Sequence, residues 1–350
     1  MAAGLAHAAL TPIEPFAIGF ALALVAAAAV LAALLIVLIK PLLVRYLLAH
    51  PNARSSHMAA TPQGAGIAVV AALFIALMAV QLGCPEAVRG PLLLPVILAT
   101  IGLSVLGLID DARGLPVWLR FAAQSLAALA LAFTLPQDLR IWPDLLPVWA
   151  ERGLIVFGTV YLINAINFLD GIDWITVAQV VPMTLGVAAI AYLGAIPPNV
   201  GLLALALLGC MLGFAVFNKH PAQVFLGDAG SLPIGFLLAA MLTYVAGTNV
   251  VAALLLPLYT LLDSGVTLIR RSYNREPIFS AHRSHFYQRA VIGGMSVPQV
   301  TARIFVLCLL LASLAVGTVM AKSATADLLM FALGAAATAY VLYLLARGRP

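Results

Sequence analysis

The chain has 350 residues, of which 64% are hydrophobic and 9% charged, and its mean hydropathy is +1.10. The formal charge of +5, from 18 Lys and Arg against 13 Asp and Glu, is spread over many loops; no basic run with interleaved aromatics exists, which excludes a nucleic-acid surface. Cys84, Cys210 and Cys308 are scattered and form no CxxC pair, so they offer neither a metal nor a redox couple.

Apolar runs near twenty residues long, enough to cross a hydrocarbon core of about 30 Å as a helix, recur from end to end. Breaks at Pro, Gly and charge predict eleven spans, at 16–39, 65–82, 91–109, 117–135, 153–169, 175–195, 200–217, 231–247, 250–269, 299–320 and 325–345. The first run is too long for a signal-peptide core and has no basic segment before it, so it counts as a span. The expected fold is all-α, a polytopic integral membrane protein. No loop is long enough to fold alone, which makes 1–350 a single domain.

Eleven spans put the termini on opposite sides. With the N-terminus outside, fourteen of the eighteen Lys and Arg fall on the inner face and only Arg89, Arg140, Arg152 and Lys322 outside, so the basic residues predict a cytoplasmic C-terminus. Five of six histidines follow them inside, with Asp110, Asp111, Asp170, Asp173, Asp228 and Glu276; Asp263 lies about two turns into the ninth span. Glu14, Glu86, Asp138, Asp144, Glu151 and Asp327 fall outside and read as ordinary solvated loop or helix-end acids.

Four inner segments and one loop carry the chemistry. The first inner loop, HPNARSSH, brings Arg54 and His57. LIDDARGLP ends the third span, and because helix neighbours diverge by about 100°, one of Asp110 and Asp111 should face a ligand and the other support it. NAINFLDGIDW closes the fifth span; Asp170 and Asp173 share a face if the helix continues that far, with Asn164 and Asn167 on a neighbouring face. NKHPAQVFLGDAGS combines glycines for close backbone approach, Ser231 as an expected cap of the eighth helix, a helix N-terminus suited to phosphate, and Asp228 as a hard oxygen ligand of the kind Mg²⁺ takes. RRSYNREPIFSAHRSHFYQR carries His282, Arg283 and His285, the histidines placed to face one way in a helical turn; Asp263 is expected to pair with Arg270 two turns along. Acids, arginines and a glycine-rich helix start at one membrane face point to metal-assisted phosphoryl chemistry on a lipid phosphate.

These five ordered motifs, from His50 to Arg289, resemble the polyprenyl-phosphate N-acetylhexosamine-1-phosphate transferases. The resemblance implies transfer of a sugar 1-phosphate from a UDP-N-acetylhexosamine to undecaprenyl phosphate in the bacterial inner membrane, with release of UMP, as the opening step of a cell-surface polysaccharide such as O-antigen. It implies Mg²⁺, with Mn²⁺ as the alternative ion, on Asp228 and Asp110, and catalytic roles for Asp110, Asp111 and Asp228. Asp170 and Asp173 correspond to the uridine-side acids with Phe225 near the base, Asn218 stands near the metal, and His282 and His285 would hold phosphate. Asn167, Arg283, Arg54 and His57 complete the expected substrate-binding set. A homodimer is compatible with this reading. Two departures stand out: Trp174 replaces the glycine that ends the family's DGxDG, and HRSH replaces the consecutive histidines of the muramoyl-pentapeptide branch, which favours the GlcNAc-1-phosphate branch. A lipid phosphate is mostly dianionic at neutral pH, its second pKa being about 6, so direct attack on the β-phosphorus is expected over an aspartyl-phosphate intermediate. The alternative from another class is a transporter or flippase, which would hold such groups near the bilayer midplane.

Overall fold

In a bilayer every backbone amide must find its partner within the chain, and long apolar runs do so as helices. The computed structural model describes residues 15–49, 60–83, 93–277 and 282–348. Within them lie α1 (Pro15–Tyr46), α2 (Gly66–Gly83), α3 (Leu93–Arg113), α4 (Val117–Thr134), α5 (Val148–Phe168), α6 (Ile175–Tyr192), α7 (Pro198–Phe217), α8 (Asp228–Thr248), α9 (Val250–Leu255), α10 (Leu258–Tyr273), α11 (Phe286–Ile292), α12 (Val297–Ala321) and α13 (Ala324–Arg347). One antiparallel ladder accompanies them, β1 (Leu48–Ala49) on β2 (Thr61–Pro62), with Leu48 opposite Pro62.

Among the described residues nine helices are long and apolar enough to cross a membrane: α1, α2, α3, α4, α6, α7, α8, α12 and α13. The remaining two expected spans differ in physical character. α5 has 21 residues, about 31 Å of helix, but opens with Glu151 and Arg152 and closes with Asn164 and Asn167, which dilute its hydropathy. The ninth expected span is two helices: α9 ends at Leu255 and α10 starts after Pro257, whose ring nitrogen cannot donate to the ladder. α10 is inside out, with Thr260, Asp263, Ser264, Thr267 and Arg271 buried and Val266, Ile269 and Tyr273 exposed.

The bundle is organised on α8, in which every residue from Ala229 to Val245 is buried. A helix apolar on all sides belongs at the centre of a bundle. α3 and α5 pack along it, joined by α2, α6 and α9. Gly66 of α2 meets Gly230 of α8 so closely that a Cβ at Gly66 would overlap the Gly230 backbone. Outward-facing Leu38, Leu82 and Phe133 give the surface a lipid-facing character. Exposed Tyr46, Trp118 and Tyr273 mark one end, and Trp142, Trp149 and Tyr192 the other, as interfacial aromatics do. Cys210 and Cys308 are buried fillers; Cys84 lies outside the described residues.

Glu151 overturns its reading as a solvated acid. It is 2% exposed and accepts bonds from Arg140 Nε (2.9 Å) and from the Trp142 and Ile141 amides (2.8 and 3.3 Å), so it folds the 135–147 loop back onto the start of α5. Asp327 is also bonded, by the Asn249 amide at 3.2 Å. Asp138 and Asp144 are exposed as expected, and Glu14 and Glu86 lie outside the described residues. Breaking a buried ion pair from one side costs about 3 kcal/mol. Glu151→Ala should therefore lower the thermal midpoint in detergent clearly, and Glu151→Gln, which keeps an acceptor, by less. An unchanged midpoint for the alanine variant would refute this role.

Candidate active site

The local sequence FLGDAGS places an acid at a helix start immediately after a glycine. Gly227 has φ +72, and a Cβ there would strike the Asp111 carboxylate, so glycine is required on two counts. Asp111, at the end of α3, accepts the Asp228 amide at 3.0 Å and the Ala229 amide at 3.1 Å. The α8 N-terminus is thus already neutralised by a protein carboxylate. Two expectations change with it: phosphate does not have these amides to itself, and Ser231 is not the cap, because it lies inside the first turn and accepts from Asn167 Nδ2 at 2.8 Å.

Asn167, on the last turn of α5, also donates to Asp228 Oδ1 at 2.7 Å. Asp110 turns away from its neighbour, accepting from the Leu115 amide and from Arg120 Nη1 at 2.9 Å. The same guanidinium nitrogen stands 3.6 Å from Asp228 Oδ2. Two carboxylates therefore converge on one point held by a cation. This donor set of Asp228 and Asp110, with Asp111 behind, fits a divalent ion that takes one or two protein carboxylates and completes its shell from substrate phosphates. Among the described residues no group of three His, Cys, Asp or Glu could hold a metal ion by itself.

On the far side of Asn167 the helix ends at Phe168, one turn short of what a shared face for Asp170 and Asp173 requires. The two acids still line one pocket, reached by different routes. Asp170 is half-buried and accepts from Thr176 Oγ1; desolvation pushes its carboxyl up to about 7. Asp173 accepts from His220 Nδ1 at 2.7 Å and from the Ala222 amide at 3.1 Å. Trp174 takes the left-handed conformation usual for glycine, with φ +65, and is held there by two bonds: its amide donates to Asn218 Oδ1 at 2.8 Å and its indole to the Ala215 carbonyl at 2.7 Å. Phe225 is fixed by backbone bonds to Pro62 and Ala65, so the β2 segment and the FLGD segment run side by side.

His282 and His285 approach with ring centroids 4.8 Å apart, but from the non-helical segment before α11, not from a helical turn. Burial, reinforced by the neighbouring His285, pushes His282 down to about 4. Asp263 does not pair with Arg270. It meets His285 Nδ1 at 3.3 Å, while Arg270 reaches the Ser284 carbonyl and lies over the Phe286 ring. Arg283 is described and interacts with the fold; Arg54 and His57 lie outside the described residues.

Two cavities meet at this cluster. A pocket of about 590 Å³ carries the acids: it is lined by Gln63, Asp111, Asp170, Asp173, Asn218, His220 and Asp228, with Ile172, Phe225 and Leu226 between them. A largely apolar groove of about 480 Å³ runs between α4, α5 and α10, lined by Val117, Phe121, Phe157, Val160, Phe168 and Leu268, with Arg120, His282 and His285 among its polar groups. Asn167 and Gln288 line both. Arg120 and Gln288 were not singled out from sequence; a basic residue at a span start looks like any positive-inside charge. The groove also contains the reciprocal amide pair Gln124–Asn164 (2.6 Å) and the Tyr161–Ser264 bond (2.9 Å), so Asn164 faces the groove and not the acids.

Fold and site together define an all-α membrane bundle with acids, amides and histidines gathered where an acid-lined pocket meets a groove between helices. Comparison with known proteins gives this class a family. Residues 93–246 match the profile of glycosyl transferase family 4. The decaprenyl-phosphate N-acetylglucosaminephosphotransferase of Mycobacterium leprae is 30% identical over 299 residues, 73% of each chain. That of Mycolicibacterium smegmatis is 30% identical over 289 residues, 71% of this chain and 69% of its own. The phospho-N-acetylmuramoyl-pentapeptide-transferase of Heliobacterium modesticaldum is 30% identical over 162 residues, 41% of this chain and 50% of its own. The chain belongs to glycosyl transferase family 4, in the branch that transfers sugar phosphates to polyprenyl phosphates at a membrane surface.

Two consequences can be measured. With both variants lacking the indole, Trp174→Gly should be more stable than Trp174→Ala by about 1 kcal/mol, because only alanine retains the left-handed penalty; equal melting would contradict the backbone assignment. For Asp170, the folded carboxyl titrates at about 7 against an ordinary 3.8, so the native state holds the extra proton between those values. Its contribution is complete below pH 3.8 and lost as the pH rises through about 7. Asp170→Asn should flatten that decline in thermal midpoint, and parallel pH profiles for the two proteins would count against it.

Proposed function

We propose that the chain transfers an N-acetylhexosamine 1-phosphate from a UDP-sugar to undecaprenyl phosphate on the cytoplasmic face of the bacterial inner membrane, releasing UMP. The observation that carries this reading is the junction of the two cavities at Asn167, Asp228 and Arg120: a pocket carrying acids, amides and Phe225 suits a nucleotide sugar, and a groove open between helices suits a polyprenyl chain. The positive-inside distribution of basic residues supports the cytoplasmic side, with the N-terminus outside. Relatives named as N-acetylglucosamine phosphotransferases and the HRSH motif support the GlcNAc-type branch over the muramoyl-pentapeptide branch.

In this mechanism Asp170, Asp173, Asn218 and Phe225 hold the uridine side of the donor, and Arg54 and His57 complete the substrate-binding set. Arg120 attracts the lipid phosphate to the mouth of the groove, and His282, Arg283 and His285 hold it from the other side. An oxygen of that phosphate attacks the β-phosphorus; the new P–O bond forms as the bond to the oxygen bridging the α-phosphorus breaks and UMP departs. The dianion needs no strong base, so Asp111 serves the geometry by holding the α8 start, and Asn167 fixes the Asp228 carboxylate. Mg²⁺ on Asp228, with Asp110 as the second carboxylate, would supply charge neutralisation of the diphosphate, and Mn²⁺ is the natural substitute.

The test is UMP release by the purified protein with undecaprenyl phosphate, Mg²⁺ and a panel of UDP-N-acetylhexosamines. Release should require both lipid and metal. Asp228→Asn should lose at least about a hundredfold in kcat while remaining folded. Arg120→Ala should raise KM for the lipid about tenfold and leave KM for the UDP-sugar within twofold, as expected for loss of one charge-assisted phosphate contact. Lipid-independent release, or full activity in Asp228→Asn, defeats the reading.

A further inference from the structure

Asp263 is fully buried on the inward polar face of α10 and lies outside the acid cluster described above. A carboxylate so placed needs partners, and it has four: Tyr259 Oη (3.0 Å), the Phe286 amide (3.0 Å), the Tyr287 amide (3.4 Å) and His285 Nδ1 (3.3 Å). An ionised carboxylate only accepts, so His285 must carry its hydrogen on Nδ1. The ring is held from other directions as well. It stacks between Phe168 (6.2 Å) and Tyr287 (5.9 Å), and the Tyr287 hydroxyl donates to the Phe168 carbonyl at 3.1 Å, joining α11 to the end of α5. His285 is 2% exposed, yet it lines the groove.

We infer that Asp263 is a positioning residue for phosphate binding: by engaging Nδ1 and the α11 amides, it presents His285 Nε2 to the phosphate of a polyprenyl phosphate at the mouth of the groove. This rests on the proposed function for the ligand, but the geometry is independent of it. With Nδ1 turned inward, Nε2 is the ring nitrogen left for the groove. In its uncharged form that nitrogen is an acceptor, and on taking up a proton it becomes a charge-assisted donor to a phosphate oxygen, with Asp263 as the counter-charge behind. The break at Pro257 then has a purpose. It starts α10 anew, with its polar face turned to the α11 end.

The test uses the full-length protein in detergent with farnesyl phosphate, a short polyprenyl phosphate, as the probe. Asp263→Asn sets an amide donor against the Nδ1 hydrogen and favours the other tautomer. Asp263→Asn and His285→Gln should each weaken farnesyl phosphate binding about tenfold, and the double variant should be no weaker than either single one, since both remove one unit. Binding by Asp263→Asn within twofold of the parent, or losses that multiply in the double variant, overturns the inference. Should Asp263→Asn not fold, ¹⁵N spectra of the parent, with His285 assigned by difference from His285→Gln, decide instead: an Nδ1–H ring is expected, and an Nε2–H ring overturns the inference. Neither readout needs turnover. A parent inactive as a transferase would thus sink the proposed function alone, while a parent that binds no farnesyl phosphate would sink this inference.

Discussion

The site depends on one carboxylate capping a helix that is not its own. Asp111 stands at the end of α3 and takes the first two amides of α8, so the positive end of the most deeply buried helix is closed by an acid from its neighbour. Much else follows from that contact. Gly227 must be glycine because the carboxylate occupies the space of a side chain. Asp228, as the first helical residue, must project at the same end as Asp111, and the net negative charge that results needs Arg120, Asn167 or a metal ion to be tolerated.

The same contact divides the labour of the adjacent pair. Successive side chains on a helix diverge, and with Asp111 committed to α8, Asp110 turns to Arg120 of α4 and to the Leu115 amide in the turn before it. One acid therefore belongs to the acid-lined pocket and the other, through its arginine, to the groove. The sequence pattern required that the two differ, and packing decided which did what.

What was legible in the chain follows a physical line. Helices were legible wherever hydropathy alone determines them, so α2, α4 and α7 lie within a few residues of expectation. The α9–α10 break was not, because a window averaged over 250–269 sees uniform hydrophobicity, while the break is set by Pro257 and by the inward polar face of α10. Asp111, Asn167, Asp170, Asp173, Asn218 and Asp228 line one pocket, since few places in a membrane bundle can hold such groups. Partners were harder. Spacing along one helix points Asp263 to Arg270, but its partner His285 comes from the segment before α11, 22 positions away, and Glu151 reads as solvated because nothing in its neighbours announces that a loop folds over it. Short-range periodicity carries no information about such contacts.

Under the proposed function, the two cavities answer to the different solubilities of the two reactants. A nucleotide sugar arrives from water and needs polar walls; a polyprenyl chain cannot leave the bilayer and needs apolar ones. A single chamber would expose one of them to the wrong solvent. With the α8 N-terminus at one end of the bundle, the acid-lined pocket lies on the α7–α8 side and the groove between α4, α5 and α10; among the described residues Asn167 and Gln288 line both. The reacting phosphates need to meet only at that seam, where Asp228 and Arg120 already stand. Under that proposal, a buried helix start lets one membrane protein bring an aqueous donor and a lipid acceptor to the same point without dissolving either in the other's phase.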